Sequence, residues 1–453
     1  MSDSNHSHTG RGIKVRRPPW LLFLFLTTVF FLSYHDPSDA KKGFLDAISA
    51  DDFSTKVANG SLVRQIVLSA LGIVAIISLV RDRTQSRLRI DGLLGWLLIG
   101  SVAWAFTSLI WAADPLLTLR RLAIFGIFCI AALAIARRLS LREVILWTFL
   151  SSALFLAIGI LAEAFFGSFQ PFASGYRFAG TLHPNGQGIQ CGLLLLSAMA
   201  AADIEKRWRA LFWTSGSLGF AFLILTGSRT ALAATLIALL VYLAAVRSRG
   251  SKIAMVVCLG IVLCVLPFFS ETGLIPGLEN AILHRSGDLG PVGSFNGRAD
   301  LWKDLGYDIR QHPILGYGYG GFWTPVHVTV ISDEEKWGVP NGHSAYIDSL
   351  LNLGTVGLVA YTLLFFAGIW RFFRLYIESH DSIFAFCGAL LVFCALDGLF
   401  ESALVEGSLL TFLWMVVLAQ VGFCVSLGGP LAAHRRKESA ERKMQVSIDH
   451  PSF

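Results

Sequence analysis

The 453-residue chain is 54% hydrophobic and only 15% charged, with a formal net charge of +6. A soluble chain of this length carries roughly a quarter charged residues, so a soluble multidomain protein is excluded. The basic residues sit in short clusters between apolar runs and not on one polar face, which excludes nucleic acid as a partner and makes the clusters membrane-topology signals.

In chain order the apolar runs fall at approximately 19–34, 61–80, 92–112, 117–136, 143–162, 186–202, 210–226, 230–246, 253–270, 344–370, 382–400 and 408–427. Their lengths predict an all-α integral membrane protein with about twelve transmembrane helices. The first run follows Arg11, Lys14, Arg16 and Arg17, as in a signal peptide, but no small-residue cleavage site comes after it, so a retained helix is expected. Runs seven and eight are separated only by Gly227-Ser228-Arg229 and form a tight helical hairpin. Cys129, Cys191, Cys258, Cys264, Cys387, Cys394 and Cys424 all lie inside apolar runs without a CxxC pair, so neither disulfides nor a zinc site is expected.

Orientation follows from Lys and Arg. With the N-terminus in the cytoplasm, every cytoplasmic connection is basic: Arg81, Arg83, Arg87 and Arg89; Arg137, Arg138 and Arg142; Lys206, Arg207 and Arg209; Arg247, Arg249 and Lys252; Arg371 and Arg374; and the tail from Arg435 to Lys443. Both termini are then cytoplasmic and the protein is multi-pass in the bacterial inner membrane. The chain divides into a cytoplasmic N-terminal segment (1–18), nine transmembrane helices (19–270), a periplasmic loop domain (271–343), three more transmembrane helices (344–427) and a cytoplasmic tail (428–453). The segment 271–343 is too long for a connector, and its Gly, Trp, Tyr and His content predicts order. Within it Leu301, Leu305 and Ile309 recur at helical spacing beside Trp302, which predicts an amphipathic helix against the membrane domain or its interface.

The outer face holds the residues of chemical interest. Arg120 and Arg121 begin run four, Arg177 precedes Thr181-Leu182-His183-Pro184-Asn185, Arg229 occupies the tight hairpin, and Arg298 lies in Asn296-Gly297-Arg298. A single outer arginine ordinarily snorkels or pairs with a carboxylate. Several converging on one surface make a site for phosphate or pyrophosphate, because guanidinium binds it through bidentate, charge-assisted hydrogen bonds. His343, in Pro340-Asn341-Gly342-His343-Ser344, sits where a turn meets a helix N-terminus. The helix dipole and nearby arginines disfavour its imidazolium, leaving a neutral ring of the kind a general base requires. Ser344 and Asp348 are four apart and have mainly structural readings, as do His183 and His312, each before a proline. Asp397, Glu401 and Glu406, near the outer end of run eleven, are suited to countering the arginines. Asp51-Asp52 lacks partners for a metal site, and no metal or cofactor is expected.

Gly297-Arg298-Ala299-Asp300-Leu301-Trp302, His312-Pro313-Ile314-Leu315-Gly316-Tyr317-Gly318-Tyr319-Gly320-Gly321-Phe322-Trp323, and His343-Ser344-Ala345-Tyr346-Ile347 with Leu353-Gly354 together resemble the O-antigen ligase/polymerase family. That family includes the Wzy-type polymerases, and the Gly-Tyr-Gly-Tyr-Gly-Gly-Phe-Trp run is most like its ExoQ-type exopolysaccharide polymerases. The His-Pro-Asn before run six and the Ser-Arg-Thr between runs seven and eight also match. One departure stands out: the family has Asn after the histidine, and here it is Ser344. The resemblance implies a GT-C-like membrane glycosyltransferase that passes a glycan from an undecaprenyl-pyrophosphate-linked oligosaccharide to an acceptor hydroxyl at the periplasmic face, without a metal. It implies His343 as the base and Arg229 and Arg298 as pyrophosphate ligands, with Arg177 and Arg120 or Arg121 as further contacts. Besides the lipid bilayer, chain-length regulator and export proteins are the partners such an enzyme would have. The alternatives are an O-antigen ligase acting on lipid A-core and, in a different class, a transporter. A coupled transporter places ionisable residues at the bilayer midplane, where these runs are nearly free of them.

Overall fold

The computed structural model describes residues 19–34, 60–81, 88–173, 175–247, 298–402 and 407–423. The described residues are helical and turn-forming throughout. The helices are α1 (Trp20–Tyr34), α2 (Leu62–Val80), α3 (Gly92–Thr107), α4 (Pro115–Arg138), α5 (Leu141–Phe166), α6 (Pro184–Ile204), α7 (Arg209–Leu225), α8 (Arg229–Val246), α9 (Arg298–Gln311), α10 (Pro325–Glu335), α11 (Ala345–Ser379), α12 (Ser382–Asp397) and α13 (Leu409–Gly422). All but α9 and α10 coincide with predicted apolar runs. Eight helices, α3 being extended by the 3-10 turn Ser108–Trp111 and α7 by Lys206–Trp208, are long and apolar enough to cross a membrane, and α1, α12 and α13 are shorter apolar helices. This is an all-helical, multi-pass membrane protein. The expected run 253–270, both chain ends, Asp51-Asp52 and Glu406 lie outside the described residues. Cys129, Cys191, Cys387 and Cys394 are free thiols.

Three helices form the centre. Every residue of α13 is buried, as are nearly all of α6 and most of α12. A helix apolar all round belongs inside a bundle or in lipid. Around this centre stand helices whose outward faces keep Ile66, Ile73, Trp96, Leu116, Leu161 and Trp213 exposed. Such surfaces suit hydrocarbon. Small residues let the central backbones approach closely: a Cβ at Gly188 would come within 2.9 Å of Ser228 Cβ.

The two ends of the bundle differ in chemistry. One end collects paired basic residues: Arg247 with Asp203 at 2.9 Å, Arg371 with Asp91 at 2.6 Å, and Arg142 with Glu205. At the other end lie the N-termini of α4, α6, α8 and α11, capped by the side chains of Asp114, His183, Ser228 and Ser344. Helix N-termini carry partial positive charge and unmet N–H groups, so that end is predisposed to anions.

The 35-residue α11 is broken at Gly354, whose φ of 66° and ψ of −168° leave the helix. The break frees carbonyls that a lipid environment cannot satisfy. The Gly-rich loop before α10 supplies the donors and acceptors: Tyr317 N donates to Leu351 O at 2.9 Å, and Thr355 N to Pro313 O at 2.9 Å. Trp104 Nε1, on α3, donates to Leu353 O at 3.2 Å. A Cβ on Gly354 would collide with the Ile314 carbonyl, and its φ is one that side-chain-bearing residues avoid. Gly354→Ala should therefore lower the apparent melting temperature in detergent, with a cost of order 1–3 kcal/mol. Gly100→Ala, which meets nothing within 4 Å in α3, serves as the control and should leave it unchanged.

Candidate functional site

The segment 298–344 folds as a small cap on the end that carries the helix N-termini. Leu301 and Leu305 of α9 are fully buried against Tyr317, Phe322, Trp323, Val328, Ile331, Val339 and Leu351. The amphipathic face predicted from their spacing thus closes a core of its own over α11. Trp302 Nε1 donates to Gly342 O at 2.8 Å, tying α9 to the turn that precedes α11.

Asp348 holds the cap to the bundle. Its buried carboxylate accepts from Trp323 Nε1 at 2.7 Å, from Gly342 N at 3.0 Å and from Ser402 Oγ. Three separate segments meet on one side chain, in keeping with a structural reading of this residue. Arg121 acts in the same way: its guanidinium donates to Gly320 O and, at 2.9 Å, to Trp323 O. Gly320 has a φ of 69°, and a Cβ there would meet the Arg121 side chain, so the Gly-rich loop accommodates this arginine closely. Arg121 is thereby committed to the loop, and Arg120 lies beside it on α4, half-buried.

Two of the other candidate arginines are drawn into one network. Arg177 donates from Nε to Thr226 O at 2.8 Å and from Nη2 to Asn185 Oδ1 at 2.7 Å. Asn185 Nδ2 donates to Glu401 Oε1 at 2.7 Å. Arg298 Nη2 reaches the same oxygen at 2.9 Å, and its Nη1 donates to Phe400 O. Both partners of the Arg298–Glu401 pair are 13% exposed. Burial pushes the Glu401 carboxyl above its ordinary range, and the neighbouring Arg298 opposes that push. Arg229 opens α8 three residues beyond Thr226, exposed, with no hydrogen-bonding partner among the described residues. Arg64, in the first turn of α2 beside Gly407, brings a further cation to this end.

His343 adjoins this network. Its backbone has a φ of 48°, rare for a residue with a side chain, and its N–H donates to Asn341 Oδ1 at 3.0 Å. Such conformations persist where surrounding contacts dictate them, often at functional sites. Ser344 is the N-cap of α11, accepting from Ile347 N at 3.4 Å, and Ala345 N donates to Gly398 O at 2.8 Å. Serine and asparagine cap helices about equally well, so the departure from the family's asparagine leaves this capping position served. The Nε2 atom of His343 is buried and without a hydrogen-bond partner. Burial, then the positive charges of Arg298 and His183, lower its pKa from 6.5 to about 3.

The geometry therefore gathers His343, Arg298 and Arg177 and sets Arg229 close to their network, whereas it turns Arg121 to the loop. Sequence reasoning did not single out Asn185 as the bridge. Its signal was the first-turn polar residue after a capping His-Pro, which becomes informative only once Glu401 is known to face it.

Fold and composition define the class: a multi-pass, all-helical membrane protein with a cluster of cations around a neutral histidine at one end. Residues 214–362, from α7 into α11, match the family model described as O-antigen ligase, which supports the O-antigen ligase/polymerase family and its type of glycosyl transfer. The matched stretch contains Arg229, Arg298, the Gly-rich loop and His343. No curated protein matches the chain.

The His343 environment has a consequence for stability. In the unfolded chain the ring takes up a proton near pH 6.5, while the folded chain resists it down to about 3. The unfolded state binds more protons in that window, so stability falls as pH falls through it. Thermal unfolding of purified protein at pH 7 and pH 4 should show a smaller loss in His343→Asn than in wild type.

Proposed function

We propose that the chain is a periplasmic-side glycosyltransferase of the inner membrane, both termini cytoplasmic, that polymerises repeat units carried on a polyprenyl pyrophosphate. The observation that carries this reading is the buried, partnerless Nε2 of His343 beside Arg298, with Arg177 joined to Arg298 through Asn185 and Glu401. The acceptor oxygen attacks the anomeric carbon of the donor sugar as its proton passes to His343 Nε2. The bond from that carbon to the pyrophosphate oxygen breaks, and polyprenyl pyrophosphate leaves with the electron pair.

In this scheme Arg229, Arg298 and Arg177 stabilise the charge that grows on the leaving group, and Arg120 lies within the same end of the bundle. Preorganised cations at a surface of low dielectric are effective because the protein need not reorganise as charge develops. Helix N-termini at the same end add to the field. The donor's own anion has a second effect: it offsets Arg298 and raises the proton affinity of His343, so the base strengthens when the substrate is in place. Arg121 and Asp348 position the Gly-rich loop and the turn that bears His343. The segment 271–343 is the periplasmic domain in this reading. The Gly-rich motif favours polymerase, and the donor chemistry is the same for a ligase acting on lipid A-core.

Chain-length profiles test both reaction and type. In a deletion strain complemented to equal protein level, His343→Ala should leave single lipid-linked repeats and at least about 100-fold less polymer, the usual contribution of a general base. Accumulation of long lipid-linked chains instead would identify a ligase, and unchanged polysaccharide would remove His343 from catalysis. Arg229→Lys should cut polymer output by roughly tenfold or more, because lysine keeps the charge and loses bidentate contact. Full output would reduce Arg229 to a bystander.

A further inference from the structure

Two kinds of neighbour meet at His343. Arg298 and His183 act on it as positive charges, and the ring of Trp337 packs against its imidazole with centroids 5.1 Å apart and planes at 47°. Trp337 follows α10, where Lys336 in a left-handed conformation (φ 63°) turns the chain back toward the His343 turn. Its ring leans on the cap's core but stays only half-buried. The Glu335 carboxyl lies near enough for hydrogen bonding with the Trp337 side chain to lower its proton affinity.

Glu335 is not alone. Asp304 and Asp300 of α9 and the adjacent Glu334 lie close enough to act on its carboxyl, which burial and then these charges raise. Asp300, Asp304 and Glu334 are exposed. An anionic diphosphate is repelled by such surroundings, as like charges in close proximity always are. A sugar ring is suited to them. Its hydroxyls donate to carboxylates, and its C–H face packs on an indole, an apolar plate with one polar edge. The catalytic scheme above leaves Trp337 and Glu335 without a part.

We propose that Trp337, oriented by Glu335, forms the acceptor subsite, taking an uncharged sugar ring whose hydroxyl is thereby presented to His343. This rests on the glycosyl-transfer reading. It divides the surface around His343 by charge, with the donor's pyrophosphate on the arginine network and the acceptor's sugar on the aromatic and carboxylate side. An acidic acceptor sugar would be disfavoured.

Full-length protein in lipid nanodiscs tests this with two probes. One is the repeat oligosaccharide freed from its lipid by mild acid, taken from a strain lacking the protein; the other is inorganic pyrophosphate. In calorimetric titrations Trp337→Ala should weaken oligosaccharide binding by roughly tenfold, the loss of one good aromatic contact. Trp337→Phe, which keeps a flat face, should stay within about threefold, and Glu335→Gln should fall between them. Pyrophosphate binding should be unchanged in all three variants, which also reports that they are folded. Equal oligosaccharide affinity in wild type and Trp337→Ala would overturn the proposal. So would absence of oligosaccharide binding to wild type, or joint loss of both probes in Trp337→Phe. If wild type binds the oligosaccharide through Trp337 but does not bind pyrophosphate, the subsite stands and the donor reading fails.

Discussion

Backbone polar groups have no water to bond inside a bilayer, and this constraint organises the structure around the break in α11. Once Gly354 leaves the helix, carbonyls of the preceding turn need partners. The Gly-rich loop and Trp104 provide them, which fixes the loop against the bundle. The loop in turn offers its own carbonyls to Arg121 and Trp323 Nε1 to Asp348. Asp348 holds the Gly342 amide, and with it the turn carrying His343. The unusual backbone of His343 is thus the far end of a chain of hydrogen bonds that starts at a broken helix.

Electrostatics then separates the two ends. At the basic end several of the described arginines are matched by nearby carboxylates or carbonyl groups, as with Arg247, Arg371 and Arg138. At the other, Arg298 pairs with Glu401, Arg177 reaches the same carboxylate only through Asn185, and Arg229 stands exposed nearby. Several helix N-termini add positive potential there. On the proposed function, the anion of the donor would complete this local cluster of guanidinium groups through charge-assisted hydrogen bonds.

The helices were largely legible in the sequence, because a run long and apolar enough to span hydrocarbon has few other folds available. The spacing of Leu301, Leu305 and Ile309 likewise revealed α9, although the core it covers is made of residues from α10 and the Gly-rich loop. His343 and the arginines stood out because cations and a helix-start histidine are unusual at the face that the distribution of Lys and Arg reads as outer. Their partners did not. That Asn185 would join Arg177 to Glu401, more than two hundred residues away, depends on tertiary packing. Arg121 and Arg298 look alike in sequence, and only the neighbouring carbonyls distinguish a loop anchor from a network member. Gly354 read as part of a motif inside a continuous apolar run, and nothing local distinguishes a break from a helix that continues.

The position of α13 bears on biogenesis. It is enclosed on every side, packed against α3, α4 and α12, yet it is the last of the described helices to leave the ribosome. Without α13, the described helices around it would enclose a gap. The inner faces of α4 and α12, including Phe128 packed on Phe412, would then be uncovered. The interior of the described bundle is therefore closed by α13, and a chain stopped before it presents an unfinished, apolar interior.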